Sequence, residues 1–295
     1  MATVNISTIE QFYDLVCGQY GYGSSNDFLE VHLQNNINWS DHSELVFQPQ
    51  LNKSWYIKFY GHSNKIQNLY YIGTSDFSIF HNAQNYGTAT MIFKDLILED
   101  MQINTTGTII GVLARVYAAQ VENIHISGTF TAGGQITGMV TNQGSNTNEH
   151  LSPGVQIYHS SLTGTVHTTS NSIIYGLTYA GGGYGGNHSN CYGCTVKVDY
   201  RSGTDVYLFG GGTAMNCAYQ GKSVSNGNII YSGAGYFNSA IMKAGTSHIG
   251  QLNSGGYMNL YADNGYQGSV NPGLVAATEA QLTTHSWLRS KGFSI

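Results

Sequence analysis

Between residues 107 and 236 the chain repeats one short pattern five times: a polar or glycine-rich turn, two or three apolar residues, a glycine, then another short run. The five segments are Gly107-Thr-Ile-Ile-Gly111-Val-Leu-Ala, Gly134-Gln-Ile-Thr-Gly138-Met-Val-Thr, Ser172-Ile-Ile-Tyr-Gly176-Leu-Thr-Tyr, Val206-Tyr-Leu-Phe-Gly210-Gly-Gly-Thr and Asn228-Ile-Ile-Tyr-Ser-Gly233-Ala-Gly-Tyr. Their anchor glycines lie 27, 38, 34 and 23 residues apart. Second short strands fall between them, such as Leu96-Ile-Leu-Glu-Asp-Met-Gln-Ile, Val121-Glu-Asn-Ile-His-Ile, Val155-Gln-Ile-Tyr-His, Cys194-Thr-Val-Lys-Val-Asp and Met215-Asn-Cys-Ala-Tyr-Gln. Alternating apolar positions rich in Val, Ile, Thr and Tyr, with Gly, Asn or Ser at the bends, specify strands rather than helices. One such unit cannot bury its inner face alone, so units recurring at this period must stack into a solenoid with one continuous core.

Composition agrees with stacked rungs. Charged residues make up 9% of the 295, against about a quarter in an average soluble protein. Like charges would line up in rows on a solenoid, whereas 38 Gly can serve tight bends and close backbone approach. A hydrophobic fraction of 41% excludes a disordered chain. With 11 Lys+Arg against 16 Asp+Glu and no basic run, a nucleic-acid partner is not expected. The most apolar stretch, 109–119, is interrupted by Arg115 and is too short to span a membrane. Residues 1–11 have neither the positive start nor the apolar core of a secretory signal. The unequal repeat spacing is read as loops of different length leaving one side of the solenoid, the longest being 143–154 and 180–192.

The ends read as lids over the exposed end strands. Ser7 or Thr8, followed by Ile9, Phe12, Tyr13, Leu15 and Val16 with Gly18 after, predicts a one-faced helix of about three turns. Near the other end Thr278-Glu-Ala-Gln281 has the form of a capping box and Gly292 of a stop. Trp39, Trp55 and Trp287 are assigned to the caps and first rungs. The predicted fold is therefore all-β: a single-stranded parallel β-helix in one domain, with an N-terminal cap (1–25), rungs (26–270) and a C-terminal helical cap (271–295).

These residues resemble the GLUG-type repeat of right-handed parallel β-helices in bacterial surface adhesins and in bacteriophage fibre and spike proteins. Lys58-Phe-Tyr-Gly-His-Ser-Asn-Lys-Ile-Gln-Asn-Leu is similar to the family's entry rung, Phe77-Ser-Ile-Phe to the next strand, and the stretch 277–293 to its closing segment. The sequence departs from the motif where a glycine should follow each anchor by three residues: Ala114, Thr141, Tyr179, Thr213 and Tyr236 stand there. The resemblance implies a virion protein made in a host cytoplasm, in contact with other virion proteins and often trimeric. Its alternative setting is extracellular, at a bacterial cell surface. It implies no single activity, because adhesins, structural spikes and sugar-cleaving enzymes share such folds.

Catalysis on a polysaccharide needs a pair of carboxylates about 5–10 Å apart. The tightest acidic group is Asp95, Glu99 and Asp100, with Asp95 and Glu99 expected on one strand face and Asp100 on the other. Asp199 and Arg201 share a face and read as a surface ion pair. His188, Cys191, Cys194 and Cys217 are the one set with metal-ligand character, and inward-stacked thiols explain the cysteines better. No cofactor is implied. Binding has more support. A sugar offers an apolar C–H face and hydroxyl edges, which tyrosines, amides and hydroxyls match. Tyr175, Tyr179, Tyr184, Asn187, His188, Asn190 and Tyr192 cluster around the longest Gly-rich loop, while Tyr207, Tyr219 and Tyr231 are expected to stack in the core. The sequence thus favours a non-catalytic receptor-binding or structural virion protein recognising a bacterial surface polysaccharide. A tail-spike hydrolase or lyase and a secreted adhesin are the alternatives, and ice binding a weaker one.

Overall fold

The computed structural model describes residues 2–42, 47–82, 90–142, 154–180 and 189–210, the strands found between residues 213 and 277, and residue 286. It is a parallel β-solenoid. The N-terminal rungs comprise β1 (Thr3–Ile6), β2 (Leu29–Leu33), β3 (Ile37–Asn38), β4 (Ile57–Tyr60), β5 (Lys65–Gln67), β6 (Tyr70–Gly73) and β7 (Phe80–His81). The central rungs follow as β8 (Met91–Thr105), β9 (Ala114–Val116), β10 (Ala119–Ala132), β11 (Ile136–Thr137), β12 (Val140–Asn142), β13 (Val155–Tyr158), β14 (Ser161–Thr168), β15 (Ile174–Tyr175) and β16 (Thr178–Ala180). Next come β17 (Ser189–Tyr192), β18 (Thr195–Ser202) and β19 (Val206–Gly210), and seven short strands continue from Thr213 to Ala277. Every named pairing between strands is parallel, in a large sheet and a smaller one of β7, β9, β11, β12, β15, β16, β19 and the short strand Ile229–Ser232.

Register explains the core. Val4, Val31, Phe59, Phe93, Val121, Ile157 and Cys191 occupy one column, each directly above the last. Ile66, Leu98, Ile126, Leu162 and Val196 form a second column, and Ile109, Ile136, Ile174 and Val206 a third on the smaller sheet. From Val31 onward in the first column, and throughout the other two, these side chains are buried. Each contributes on the order of 1.5–3 kcal/mol through removal from water. The alternation of inward and outward residues is what the strand periodicity dictated.

At the corner within the large sheet the alternation breaks. Asp95, Asn123 and His159 occupy successive rungs in the left-handed conformation, with φ of 54°, 55° and 47°, and Gly193 follows at 61°. Asn68 and Asp100 make a second left-handed corner at φ of 58° and 55°. One extra outward residue is inserted at each corner, so Phe93, Leu96, Leu98 and Met101 point inward while Asp95, Glu99 and Asp100 all lie outside. Placing Asp100 on the face opposite Glu99 is thereby corrected: left-handed geometry resets the count of two.

The anchor glycines stack only in part. A Cβ on Gly138 would lie 1.9 Å from the Gly176 carbonyl oxygen, and one on Gly176 1.9 Å from that of Leu208. Close backbone approach therefore requires glycine at both. Gly210, however, sits over Thr178 rather than Gly176. The glycine spacing of 34 between these two rungs exceeds the structural offset that pairs Tyr175 with Tyr207.

The N-terminal lid is an eight-residue helix, α1 (Ile9–Val16), two turns rather than three. Thr8 and Gln11 form a reciprocal capping box, and Ile9, Phe12, Leu15 and Val16 face the core, with Trp39 6.2 Å from Phe12 beneath them. β1 precedes this helix and pairs with β2, so residues 1–25 also supply a strand of the solenoid. Trp55 is buried against Phe80 in the first rungs. The predicted C-terminal capping box and Trp287 lie outside the described residues. No described helix is long and apolar enough to cross a membrane.

Candidate functional site

Two of the three acidic candidates have carboxylates engaged by different side chains, and the third is tied at its backbone. Glu99 is held by Lys65 Nζ at 3.0 Å and by the Gln67 amide at 2.5 Å, one rung below. Hydrogen bonding to Lys65, then to Gln67, lowers the Glu99 carboxyl below its ordinary range. Asp95 accepts the Asn123 amide at 2.7 Å, and the Asp100 backbone N–H donates to Ser127 Oγ at 3.1 Å. A carboxyl kept ionised by a lysine is a poor proton donor, so Glu99 is not built as a general acid.

The cysteines stack inward at the same corner. Cys194 Sγ reaches the carbonyl oxygens of Tyr192 and Ile157 at 3.5 and 3.6 Å, and Cys217 Sγ that of Cys191 at 3.4 Å. All three are buried free thiols. A hydrogen bond with Cys194, together with burial, holds the Cys191 thiol well above its usual range. Among the described residues no group of three or more His, Cys, Asp and Glu side chains is placed to hold a metal ion. His188 lies outside the described residues, as do Tyr184 and Asn187.

The remaining tyrosine and asparagine candidates separate onto two sheets. On the smaller sheet Tyr175 lies parallel to Tyr207, centroids 4.8 Å apart, with Tyr179 tilted over it at 4.5 Å. Their neighbours Ile174 and Val206 point inward, so this stack is on the outer face of the wall; Tyr207 stacks as expected but not in the core. Burial raises the pKa of both Tyr175 and Tyr207. The side chains of Tyr219 and Tyr231 lie outside the described residues.

On the large sheet Tyr192 and Asn190 project outward from β17, over Tyr158 and Gln156 of β13. The Tyr158 and Tyr192 rings are parallel to within 12° at 5.0 Å, and the Asn190 amide donates to Gln156 Oε1 at 3.2 Å. One rung below, Gln120 and Glu122 occupy the same two columns. Glu122 makes a 2.8 Å ion pair with Lys94, which raises the lysine pKa, and accepts a long 3.4 Å hydrogen bond from the Gln120 amide. Between these rungs lies a cleft of about 270 Å³ lined by Thr90, Ala119, Gln120, Gly154, Gln156 and Tyr158. Gln120, Gln156 and Tyr158 were not singled out from the sequence. The signal was there in the matching alternation of Val155-Gln-Ile-Tyr158 and Ser189-Asn-Cys-Tyr192, which register turns into two outward columns.

Three further outward groups form a chain below these rungs. Glu30 Oε1 lies 2.9 Å from His32 Nε2, and His32 Nδ1 lies 2.9 Å from His62 Nε2, with Tyr60 parallel to His32 at 5.1 Å. On the small sheet Arg115 Nη1 approaches His81 Nε2 at 3.1 Å. Burial, reinforced by the Arg115 charge, pushes the His81 pKa down to about 4, so its imidazole is neutral.

The class defined by this architecture is the parallel β-solenoid, with an outward tyrosine and amide strip crossing successive rungs. Comparison of the sequence with protein-family profiles gave no match, the GLUG type included, and comparison with curated proteins gave none. Among solved structures, a protein of Bacteroides ovatus described as a "putative immunoglobulin A1 protease" is similar in fold, with a TM-score of 0.52 at 12% identity over 97% of this chain and 86% of that one. The likeness supports the solenoid fold.

Proposed function

We infer that the protein is a non-catalytic binding protein, a receptor-binding or structural appendage of a virion, whose solenoid presents a neutral strip to a bacterial surface glycan. The observation that carries the reading is Tyr158: one ring face is covered by Tyr192, and its neighbourhood opens on the cleft bordered by Gln120 and Gln156. A sugar ring laid against Tyr158 would bury its C–H face while the two amides serve its hydroxyls. Strands on both sides fix these side chains, so little ordering cost accompanies binding. The virion setting rests on the sequence resemblance to fibre and spike repeats. Engagement of the Asp95 and Glu99 carboxylates by different side chains favours binding over cleavage.

The test is retention of purified protein on a panel of bacterial polysaccharides, with polymer length followed by size-exclusion chromatography. Binding without shortening is expected, and Tyr158→Ala should weaken it about tenfold, the size of one lost aromatic contact. Shortening of any polymer, or binding indifferent to Tyr158→Ala and Gln156→Ala together, would overturn the reading.

A further inference from the structure

A second cleft, of about 460 Å³, opens where β14 and β18 run into their turns. His167 and Arg201 are directly paired in register at its edge, and Ser170, Asn171 and Gly203 line its floor. We propose that this cleft is a subsite for an oxyanion carried on a sugar, a carboxylate or a sulfate, with the Arg201 guanidinium as its principal partner.

Three observations carry the proposal. The first is charge. In a chain of net charge −5, most described cations are already engaged: Lys65 and Lys94 in ion pairs, Lys53 and Lys58 over the rings of Tyr22 and Phe28, and Arg115 against His81. Arg201 is exposed and, among the described residues, makes no ion pair, so the Asp199–Arg201 pair expected from the sequence is not formed. The nearest carboxylates along the chain, Asp199 and Asp205, do not line the cleft. Guanidinium offers a planar fork of donors matched to two oxygens of one anion.

Second, the turn is braced. Ser170 Oγ is bonded to the Gly133 carbonyl oxygen and lies 2.9 Å from Ser172 Oγ, while Ser202 Oγ donates to the Ser172 carbonyl at 2.7 Å. Thr168 Oγ1 adds a bond to the same carbonyl at 3.3 Å. A Cβ on Gly203 would lie 2.6 Å from the Ser170 carbonyl oxygen, so the two turns lie in close contact. The cleft floor is thus organised before any ligand arrives.

Third, the lining is hydroxyl, amide, imidazole and guanidinium, with no large apolar side chain. An acidic peptide would find nowhere to bury its apolar residues, whereas a hydroxylated charged ring needs no such place. The subsite is on a different strand segment from Tyr158 and does not depend on the neutral strip.

The test is binding of full-length protein to four immobilised polymers at 50 mM salt: polygalacturonate, dextran sulfate, unmodified dextran and polyglutamate. Retention of one or both acidic polysaccharides is expected, and which one identifies the anion. Arg201→Gln should weaken that retention at least tenfold, while Lys197→Gln, on the same outer face, leaves it within twofold and Tyr158→Ala does not abolish it. Equal losses in Arg201→Gln and Lys197→Gln would show diffuse attraction and overturn the proposal. So would retention of polyglutamate equal to that of the acidic sugars, or of none of the acidic polymers. Circular dichroism of each variant checks that the substitutions leave the fold intact.

Discussion

Asn123 stands directly above Asp95 at the left-handed corner of consecutive rungs, and its amide donates 2.7 Å to Asp95 Oδ1. Two demands meet in this pair: a side chain that tolerates positive φ, and one that satisfies its neighbour in the stack. Asp and Asn meet both, because they visit the left-handed region with less strain than other non-glycine residues. Asn123 also holds its Oδ1 2.9 Å from His125 Nε2, so the corner is braced from two sides.

Replacing Asn123 by Val should therefore cost about 2–3 kcal/mol, combining backbone strain with the lost hydrogen bond. Asn123→Gly should cost less, since it removes the bond without the strain. Thermal or denaturant unfolding of the two variants checks the order.

How much of this was legible in the sequence depends on what each residue type can mean. Val121, Ile124, Ile157 and Leu162 announced inward columns because an apolar residue in an alternating run has few other uses. Asp95 and Asp100 did not announce corners. The same letters serve strand exteriors, turns and catalytic pairs, and only the backbone φ separates them. Gly176 and Gly210 looked equivalent, yet the chain between them carries two residues more than the rung offset requires, which slides Gly210 over Thr178. The neutral strip was half seen. Asn190 and Tyr192 drew notice beside a Gly-rich segment, but Gln156 and Tyr158 gain significance only when register sets the two strands face to face.

Gly176→Ala should be among the most damaging single changes. The new methyl would lie 1.9 Å from the Leu208 carbonyl oxygen and 2.4 Å from the Tyr200 hydroxyl, so the backbone of the adjacent rung must move. A loss of about 3 kcal/mol is expected, at the upper end for overpacking. Gly21→Ala is the control: its φ of 80° is strained for alanine, unlike that of Gly176, but a Cβ there meets nothing within 4 Å, and the change should cost about 1 kcal/mol. Denaturation midpoints of the two proteins make the comparison.

The Lys65–Glu99 pair gives a pH signature of known sign. The folded-state pKa of Glu99 is lowered, first by Lys65 and then by Gln67, so its stabilisation is fully present above the ordinary carboxylate range near pH 4.5 and is lost as pH falls through the lowered value. Both side chains are about one-third exposed, and the contribution is correspondingly below about 1 kcal/mol. Lys65→Met should lower the melting temperature slightly at pH 7, and the gap from the unmodified protein should close in strongly acidic solution. A gap that persists unchanged would mean the lysine acts through packing alone.

Thiol labelling should follow the stack at the inner corner. Cys191, Cys194 and Cys217 are buried, and the Cys191 thiol is held well above its usual range. Cys17, at the end of α1, is partly exposed, although burial raises its pKa too. Alkylation of native protein at pH 8 should therefore modify Cys17 first and the other three only on unfolding, as read by peptide mass spectrometry. Early modification of Cys194 would show that the corner opens on the labelling timescale.

His81 supplies the larger pH effect, and its window differs from that of Glu99. Buried next to the Arg115 guanidinium, it has a folded pKa of about 4, against 6.5 for the ordinary imidazole. Above pH 6.5 both folded and unfolded states hold it neutral and the residue contributes no pH dependence. As pH falls from 6.5 towards 4 the unfolded chain takes up a proton that the folded site refuses, so stability declines across that interval and levels off below it. The full interval corresponds to on the order of 3 kcal/mol at 1.36 kcal/mol per unit. His125, whose pKa is also lowered by burial, adds to the decline in the same direction. A His81→Gln variant removes the largest share: its unfolding free energy should be lower than that of the unmodified protein at pH 7.5, where the native packing is lost without compensation, yet should fall less between pH 6.5 and 4. Parallel profiles for the two proteins would mean that His81 takes up its proton in the folded state as readily as in the unfolded one, and that Arg115 approaches it without enforcing neutrality.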